Sequence, residues 1–551
     1  MSDFALRGLE IHSSRLWQMA QIDRTLDFMT RTGLNALIFH QNDIIDELVL
    51  PSQYFDEAQM LARWPIRFAR LWDNRIYMNQ VVRKAGERGI GIFFQTKEIW
   101  YPEPLLETHP ELRNPDGSIC PTNPFWWQFV SDKMRDVIAH VPGFAGVIVS
   151  PGTRESRVSI SANACTCERC RRTDPTTWYR DLLGAMHAPL AEGGKTLAVR
   201  DFSWTLEQQS QIVDGASLVS RDITIQLKNT PHDFYPTFPH NPRIGHCNGH
   251  PQWLEYDTWG QFYGLGIFPV SVAEDIKARL THAKDKGISG VIFRTDWEII
   301  LDQSVFNSCN LVNLVAGAML AEDIGTPLET IFRTWLGIGV MTPYLSGSYL
   351  QQPVRPTAPD AHVRWAAYFS QAWKVVEKGI YARGHVFHEN SMFPDTAEKP
   401  YFYMIDFHGR DDWEPGASAL VIPTDENLPL LLDEKDDAIT LVRTLASTLD
   451  VSTMGLPEDM ARDLQDMLAL FELYIRTFKT IAEAVFLVYR ARHGLDATAA
   501  SQALDTLPAL TALRDEVETV LASREHPHLV LEMMDPQRLT DLISDIRVRC
   551  A

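Results

Sequence analysis

Over its first three hundred or so residues the chain repeats one unit. A short apolar run stops at charged or turn-forming residues, and an amphipathic stretch follows. The runs are Gly8–Ile11, Ala36–His40, Ile90–Gln95, Phe144–Ser150, Thr196–Asp201, Ile223–Lys228, Gln252–Tyr256 and Val291–Arg294. Between most of them lie helical patterns: Ile22–Thr32, Ile76–Glu87, Phe125–His140, Trp178–Glu192 and Val272–Lys286. Strands buried on both faces read as continuous apolar runs, and parallel neighbours need a crossover helix. Eight such units predict an α/β fold, a (β/α)8 TIM barrel over residues 1–322. A doubly wound open sheet is the alternative. It is disfavoured because no Gly-x-Gly-x-x-Gly follows the first run and because polar residues crowd nearly every run's end.

After Glu322 the pattern changes. Leu464, Leu468, Phe471, Ile475 and Phe478 recur at helical spacing, and Leu504–Leu521 behaves alike. Val354–Pro359 and Pro394–Pro400 read as loops. Residues 323–551 are therefore expected to form a mostly α-helical C-terminal domain, which completes the barrel's mouth or forms the face of a homodimer.

The net charge of −20 opposes nucleic acid or an anionic membrane as a partner. A local cluster of Arg and Lys can still hold a small acidic molecule. The longest apolar stretches, Leu311–Leu320 and Ala484–Val488, are too short to span a bilayer. The first eight residues have neither a basic nor an apolar leader segment, and the seven Cys do not resemble a disulfide framework, so a reducing cytoplasm is expected.

Four of the seven Cys are concentrated. Cys165-x-Cys167-x-x-Cys170 follows the fourth run, and Cys120 lies upstream in Gly117–Pro124. Three thiols so close, joined by a fourth from a neighbouring loop, can share one tetrahedral ion; free reduced thiols are the alternative. The arrangement resembles the zinc site of family 42 β-galactosidases, where a single Cys precedes a Cys-x-Cys-x-x-Cys loop on a barrel. That resemblance implies a structural Zn2+ held by Cys120, Cys165, Cys167 and Cys170. Four sulfur ligands leave no position for water, so no catalytic cofactor is expected.

Catalytic candidates sit where the runs end. Ile223–Lys228 leads into Asn229-Thr230-Pro231-His232-Asp233-Phe234, and Gln252-Trp253-Leu254 delivers Glu255. The fourth run leads into Pro151-Gly152-Thr153-Arg154-Glu155. From Val199-Arg200-Asp201-Phe202 through Ile225–Pro236 to Leu254-Glu255 and Gln261-x-x-Gly264, the chain resembles the family 67 α-glucuronidases. Those enzymes carry a similar Ile-Lys-Asn-x-Pro-x-Asp-Phe segment followed by a strand bearing a Glu. The resemblance implies an inverting glycosidase with Asp233 and Glu255 as the bases that activate water and Glu155 as the acid. Thr153-Arg154-Glu155-Ser156 does not reproduce the sequence around that family's acid.

The resemblance also implies an oligosaccharide substrate bearing a uronic acid. Lys97, Arg200, Lys228 and Arg294 fall at predicted strand ends and can hold a carboxylate, or can neutralise the acids around them. Trp204 and Trp259 are candidate stacking surfaces for a sugar ring; His12, His40, Asp43, Trp297 and Glu298 are further rim candidates. Two other readings stay open. One is a retaining β-galactosidase-type enzyme with Glu155 as acid/base and Glu255 or Glu298 as nucleophile. The other is a non-catalytic carbohydrate-binding barrel.

Overall fold

The computed structural model describes residues 2–203, 205–298, 303–345 and 352–551. Eight parallel strands form a closed barrel: β1 Leu6–Ile11, β2 Ala36–His40, β3 Gly91–Lys97, β4 Gly146–Ser150, β5 Thr196–Arg200, β6 Thr224–Lys228, β7 Gln252–Asp257 and β8 Gly290–Arg294. Strand β8 returns to β1 in a register running from Leu6–Gly290 to Glu10–Arg294. Each apolar run of the sequence is found as one strand.

Helices Met19–Thr32, Pro65–Gly86, Phe125–His140, Pro175–Glu192, Leu206–Val219, Ala273–Asp285 and Leu311–Glu322 connect and surround the strands. The step from β6 to β7 breaks the rhythm, because residues 229–251 contain no helix. Backbone groups buried without a helix or a ladder need other partners. Arg279 supplies them: its guanidinium donates to the carbonyls of Asn229, Pro236, Phe238 and Pro239 at 2.8–3.3 Å.

The barrel interior is layered, as the period of two along each strand requires. The lower layer is apolar, with Ile38, Phe93, Ile148, Ala198, Trp253 and Ile292 in one cluster. Phe93 and Trp253 meet edge to face at 5.6 Å. Gly290 makes room for the indole, since a Cβ there would lie 2.5 Å from Trp253 Cδ1. Two residues further along each of these strands the layer becomes polar: His40, Gln95, Ser150, Arg200, Glu255 and Arg294, joined by Glu10 and Gln226, all buried.

Beyond Glu322 the chain is mostly helical, with Leu328–Ile338, Ala361–Ile380, Asn427–Leu449, the 35-residue Glu458–Arg492, Leu507–Ala522 and Pro536–Cys550. Its apolar side chains share one continuous core with the barrel's outer layer. One part of the contact is with the loop after β7. Phe471 stacks on Phe268 at 4.5 Å, and Tyr381 donates to the carbonyl of Phe262 at 2.6 Å. Among the described residues, no helix is long and apolar enough to cross a membrane.

Candidate active site

The polar layer forms the floor of a mouth at the C-terminal ends of the strands. Glu255 is fully buried, and Arg200 grips it bidentately, Nε 2.5 Å from Oε2 and Nη2 2.7 Å from Oε1. Gln226 donates to Oε2 at 2.9 Å. Burial by itself would raise the Glu255 carboxyl, but Arg200 outweighs it and holds the group at about 2. Both oxygens are therefore occupied, and the carboxylate is shut away from water. This arrangement corrects two expectations. Glu255 is not placed as a base, and Arg200, itself buried, is committed to Glu255.

Asp233 has the opposite character. It lies in the loop after β6 with φ at +49°, and its side chain is 20% exposed. Lys228 Nζ donates to Oδ1 at 2.7 Å, and among the described residues no donor meets Oδ2. Burial opposes ionisation, yet Lys228, His232 and Arg294 outweigh it and keep the carboxyl at about 2. Asp233 is thus an ionised carboxylate with a free oxygen facing the mouth.

Cations crowd this space. Lys228 Nζ lies 3.6 Å from the centre of the Phe202 ring, with Arg200 and Lys97 over the same ring at 5.2 and 5.5 Å. Phe202, which directly follows Arg200 and Asp201 at the end of β5, is half-buried. Three cations can crowd together there because the ring face is negative. Burial lowers Lys228 to about 8 despite the pull of Asp233. Arg294 donates to Gln261 Oε1, and its Nε is buried without a hydrogen-bond partner among the described residues.

The remaining candidates separate. Glu155 Oε2 lies 2.5 Å from Lys97 Nζ on a side chain 41% exposed. Trp259 is buried beneath the β7 loop, where a Cβ on Gly266 would collide with its indole, so it offers no face to a sugar. Trp204 lies outside the described residues. Glu298 accepts from His12 Nδ1 at 3.2 Å and lies 3.6 Å from Arg294, which together hold its carboxyl low against the effect of burial.

Among the described residues, two clusters bring metal-ligating donors together. Glu10, His12 and His40 bring a carboxylate and two imidazoles within 4.8 Å of one another. Burial, helped by His12, Lys97, Arg200 and Arg294, keeps His40 neutral, and the same cations oppose a dication there. The Cys cluster differs. Cys120 Sγ lies 3.7 Å from Cys167 and 3.5 Å from Cys170, and all four thiols fall within 4.8 Å. Sulfurs placed tetrahedrally at ~2.3 Å from one ion stand ~3.8 Å apart, so these residues fit Zn2+. Trp126 and Trp178 anchor the loop by donating to the carbonyls of Cys120 and Pro121 at 3.0 and 2.8 Å.

One carboxylate at the mouth escaped the sequence reading altogether. Glu389, from the C-terminal region, accepts from the Tyr403 hydroxyl at 3.2 Å and lies close enough to Asp233 for the two charges to oppose each other. No strand end marks it, so periodicity gives no signal.

No protein-family model matches the sequence, and neither does any curated protein. Solved structures do. The chain is similar to a glycoside hydrolase described as a GH138 enzyme targeting pectin rhamnogalacturonan II, with a TM-score of 0.66 and 13% identity. That match covers 100% of this chain and 83% of the other. A mutant O-GlcNAc hydrolase of Thermobaculum terrenum follows at TM-score 0.44 and 11% identity, covering 99% of this chain and 94% of that one. The GH20 chitobiase of Flavobacterium johnsoniae gives 0.41 and 12%, covering 98% and 78%. At such identities the first of these shows a shared fold, barrel and helical region together. The resemblances to families 67 and 42 rest on their motifs.

Proposed function

We propose that the protein is a glycoside hydrolase that cleaves a small oligosaccharide bearing a uronic acid, with inversion at the anomeric carbon. One observation carries this reading: Asp233 is an ionised carboxylate with a free oxygen, paired with Lys228 and near enough to Arg294 for its charge to act, with Lys97 over the same Phe202 ring as Lys228. A base must already be deprotonated and within reach of water, and Asp233 meets both conditions. The cations suit the sugar's carboxylate, and the unpartnered Nε of Arg294 is a donor of the kind such a group takes. The fold relative is described as targeting pectin rhamnogalacturonan II, which makes fragments of that polymer a first choice of substrate to test.

In this mechanism Asp233 accepts a proton from water as the water oxygen bonds to the anomeric carbon. Glu255 acts through Arg200, fixing the floor on which Lys228 and Asp233 stand. Inversion also needs a protonated carboxyl across the sugar, ~6.5–9.5 Å from the base. Glu155 is poorly suited to that part, because Lys97 Nζ already sits 2.5 Å from its Oε2 on a side chain open to solvent. Separately, Cys120, Cys165, Cys167 and Cys170 would hold a structural Zn2+ that fixes the loop after β4, with no part in the chemistry.

The test is a screen of aryl glycosides and short uronic oligosaccharides, following the product anomer by NMR. Turnover with inversion, lost in Asp233→Ala, is the expected result. A product of retained configuration, or full activity in Asp233→Ala, overturns the assignment.

A further inference from the structure

We propose that Glu389, supplied by the C-terminal region, is the proton donor of the reaction; this rests on the glycosidase reading above. Its placement is the first argument. Glu389 opens the short turn Glu389–Ser391, which lies against the barrel and is fastened from both sides. Gln261 Nε2 donates to Asn390 Oδ1 at 2.8 Å, and the backbone N–H of Gly264 donates to Ser391 Oγ at 3.0 Å. From behind, Tyr474 donates to the carbonyl of Ser391 at 2.5 Å. The same Gln261 receives Arg294 through its Oε1. The turn is thereby tied to the residue we assign to the substrate's carboxylate.

The second argument is the chain of groups between Glu389 and Asp233. Tyr403 donates to Glu389 Oε2, and its ring stacks on His408 at 5.7 Å. His408 Nε2 and the Tyr235 hydroxyl share a hydrogen bond of 3.0 Å, and Tyr235 is two residues from Asp233. Tyr403 sits in the π-helical segment Phe402–Phe407 and His408 directly follows it, a distortion often found at functional sites. The charged and titratable groups that act on Glu389 or on its immediate neighbours are Asp233 and Tyr235 from the β6 loop, Tyr403 and His408 from the π-helical turn, His388 beside it, and Asp395, Lys399 and Arg538 around His388. Burial lowers His232, His388 and His408, and among the described residues no cation is ion-paired with Glu389, although Arg538 and Lys399 lie near enough to act on His388. Burial, reinforced by Asp233, raises the Glu389 carboxyl against its hydrogen bond from Tyr403. A carboxyl raised by burial near one held low by its cations is the direction of division that inversion uses.

The step balances without further reactants. The Glu389 O–H breaks and its proton passes to the glycosidic oxygen, which takes the electron pair of the breaking bond to the anomeric carbon. Water forms the new bond and yields its proton to Asp233. The products are an alcohol and a hemiacetal, with Glu389 ionised and Asp233 protonated until solvent resets both.

The experiment compares Glu389→Gln with the wild type on a natural uronoside and on its dinitrophenyl glycoside, whose leaving group needs no proton. We expect kcat on the natural linkage to fall ~10²–10⁴-fold with loss of the basic limb of the pH profile. The activated substrate loses far less. Glu155→Gln lowers both substrates alike. Equal losses for both substrates in Glu389→Gln, or a leaving-group-dependent loss in Glu155→Gln, overturn the assignment. If the wild type cleaves no glycoside, it is the glycosidase reading that fails. Carboxyl NMR of glutamate-labelled protein then still decides on Glu389. Its resonance, identified by its absence in Glu389→Gln, should titrate above ordinary glutamates and move down in Asp233→Asn. Titration in the ordinary range overturns the proposal.

Discussion

Arg200 and Glu255 reach each other from β5 and β7 across the strand between them, and each is the other's partner at the floor of the mouth. Removing one partner of a buried pair strands the other charge in a medium that cannot solvate it. Arg200→Ala should lower stability by about 3–5 kcal/mol in urea unfolding. The double variant Arg200→Met with Glu255→Leu should regain most of that and remain inactive. Recovery of activity by the double variant would show that the pair has no positioning role.

Asp233 makes stability depend on acidity in a defined window. Its carboxyl is held at about 2 in the fold against 3.8 ordinarily, so the unfolded chain binds the proton first as pH falls. The gain, about 2 kcal/mol, is complete above pH ~4 and disappears as pH falls through ~2. Urea unfolding of wild type and Asp233→Asn should show a stability gap that closes over this interval. A gap independent of pH would mean that Lys228 does not hold the carboxylate.

Substitution of Arg294 separates recognition from chemistry. Arg294→Met should raise KM for a uronoside ~10–100-fold, the worth of one charge-assisted hydrogen-bonded contact. The matching neutral glycoside should change several-fold less. Equal effects on both substrates would remove Arg294 from carboxylate recognition.

The Cys cluster predicts one zinc per chain by elemental analysis. Cys167→Ser should lose it and expose the segment around residues 151–174 to proteolysis. Turnover should fall only as far as the displaced Lys97–Glu155 contact requires. Metal-free protein with the segment still protected would leave these residues as free thiols.

The barrel was legible because its strands obey local rules. Ala36–His40 and Phe125–His140 begin and end where the apolar pattern does, and the remaining strand ends differ by no more than two residues. The place of Asp233 in the loop after β6 was legible too, because a strand end and a turn motif mark it. What could not be read is which polar groups meet. Arg200 and Glu255 both look like rim residues in sequence. Only the inward phase of their strands, and the two-residue step above Ala198 and Trp253, puts them face to face below the rim. Trp259 looked like a sugar platform, but the turn after β7 folds it under. Glu389 is the extreme case. Nothing within a dozen residues of it identifies an active site, and its place depends on how a distant helical region packs on Gln261 and Gly264.

The docking of that region also sets an order of events during synthesis. Strand β8 leaves the ribosome with the whole of Glu458–Arg492 still to be made. At ~5–20 residues per second the interval is on the order of ten seconds or more. Throughout it, Phe268 and its neighbours after β7 lack the cover that Phe471 and Tyr474 later provide. The nascent barrel is sticky in that interval, and expression yield will depend on chaperone capacity more than the stability of the finished molecule suggests.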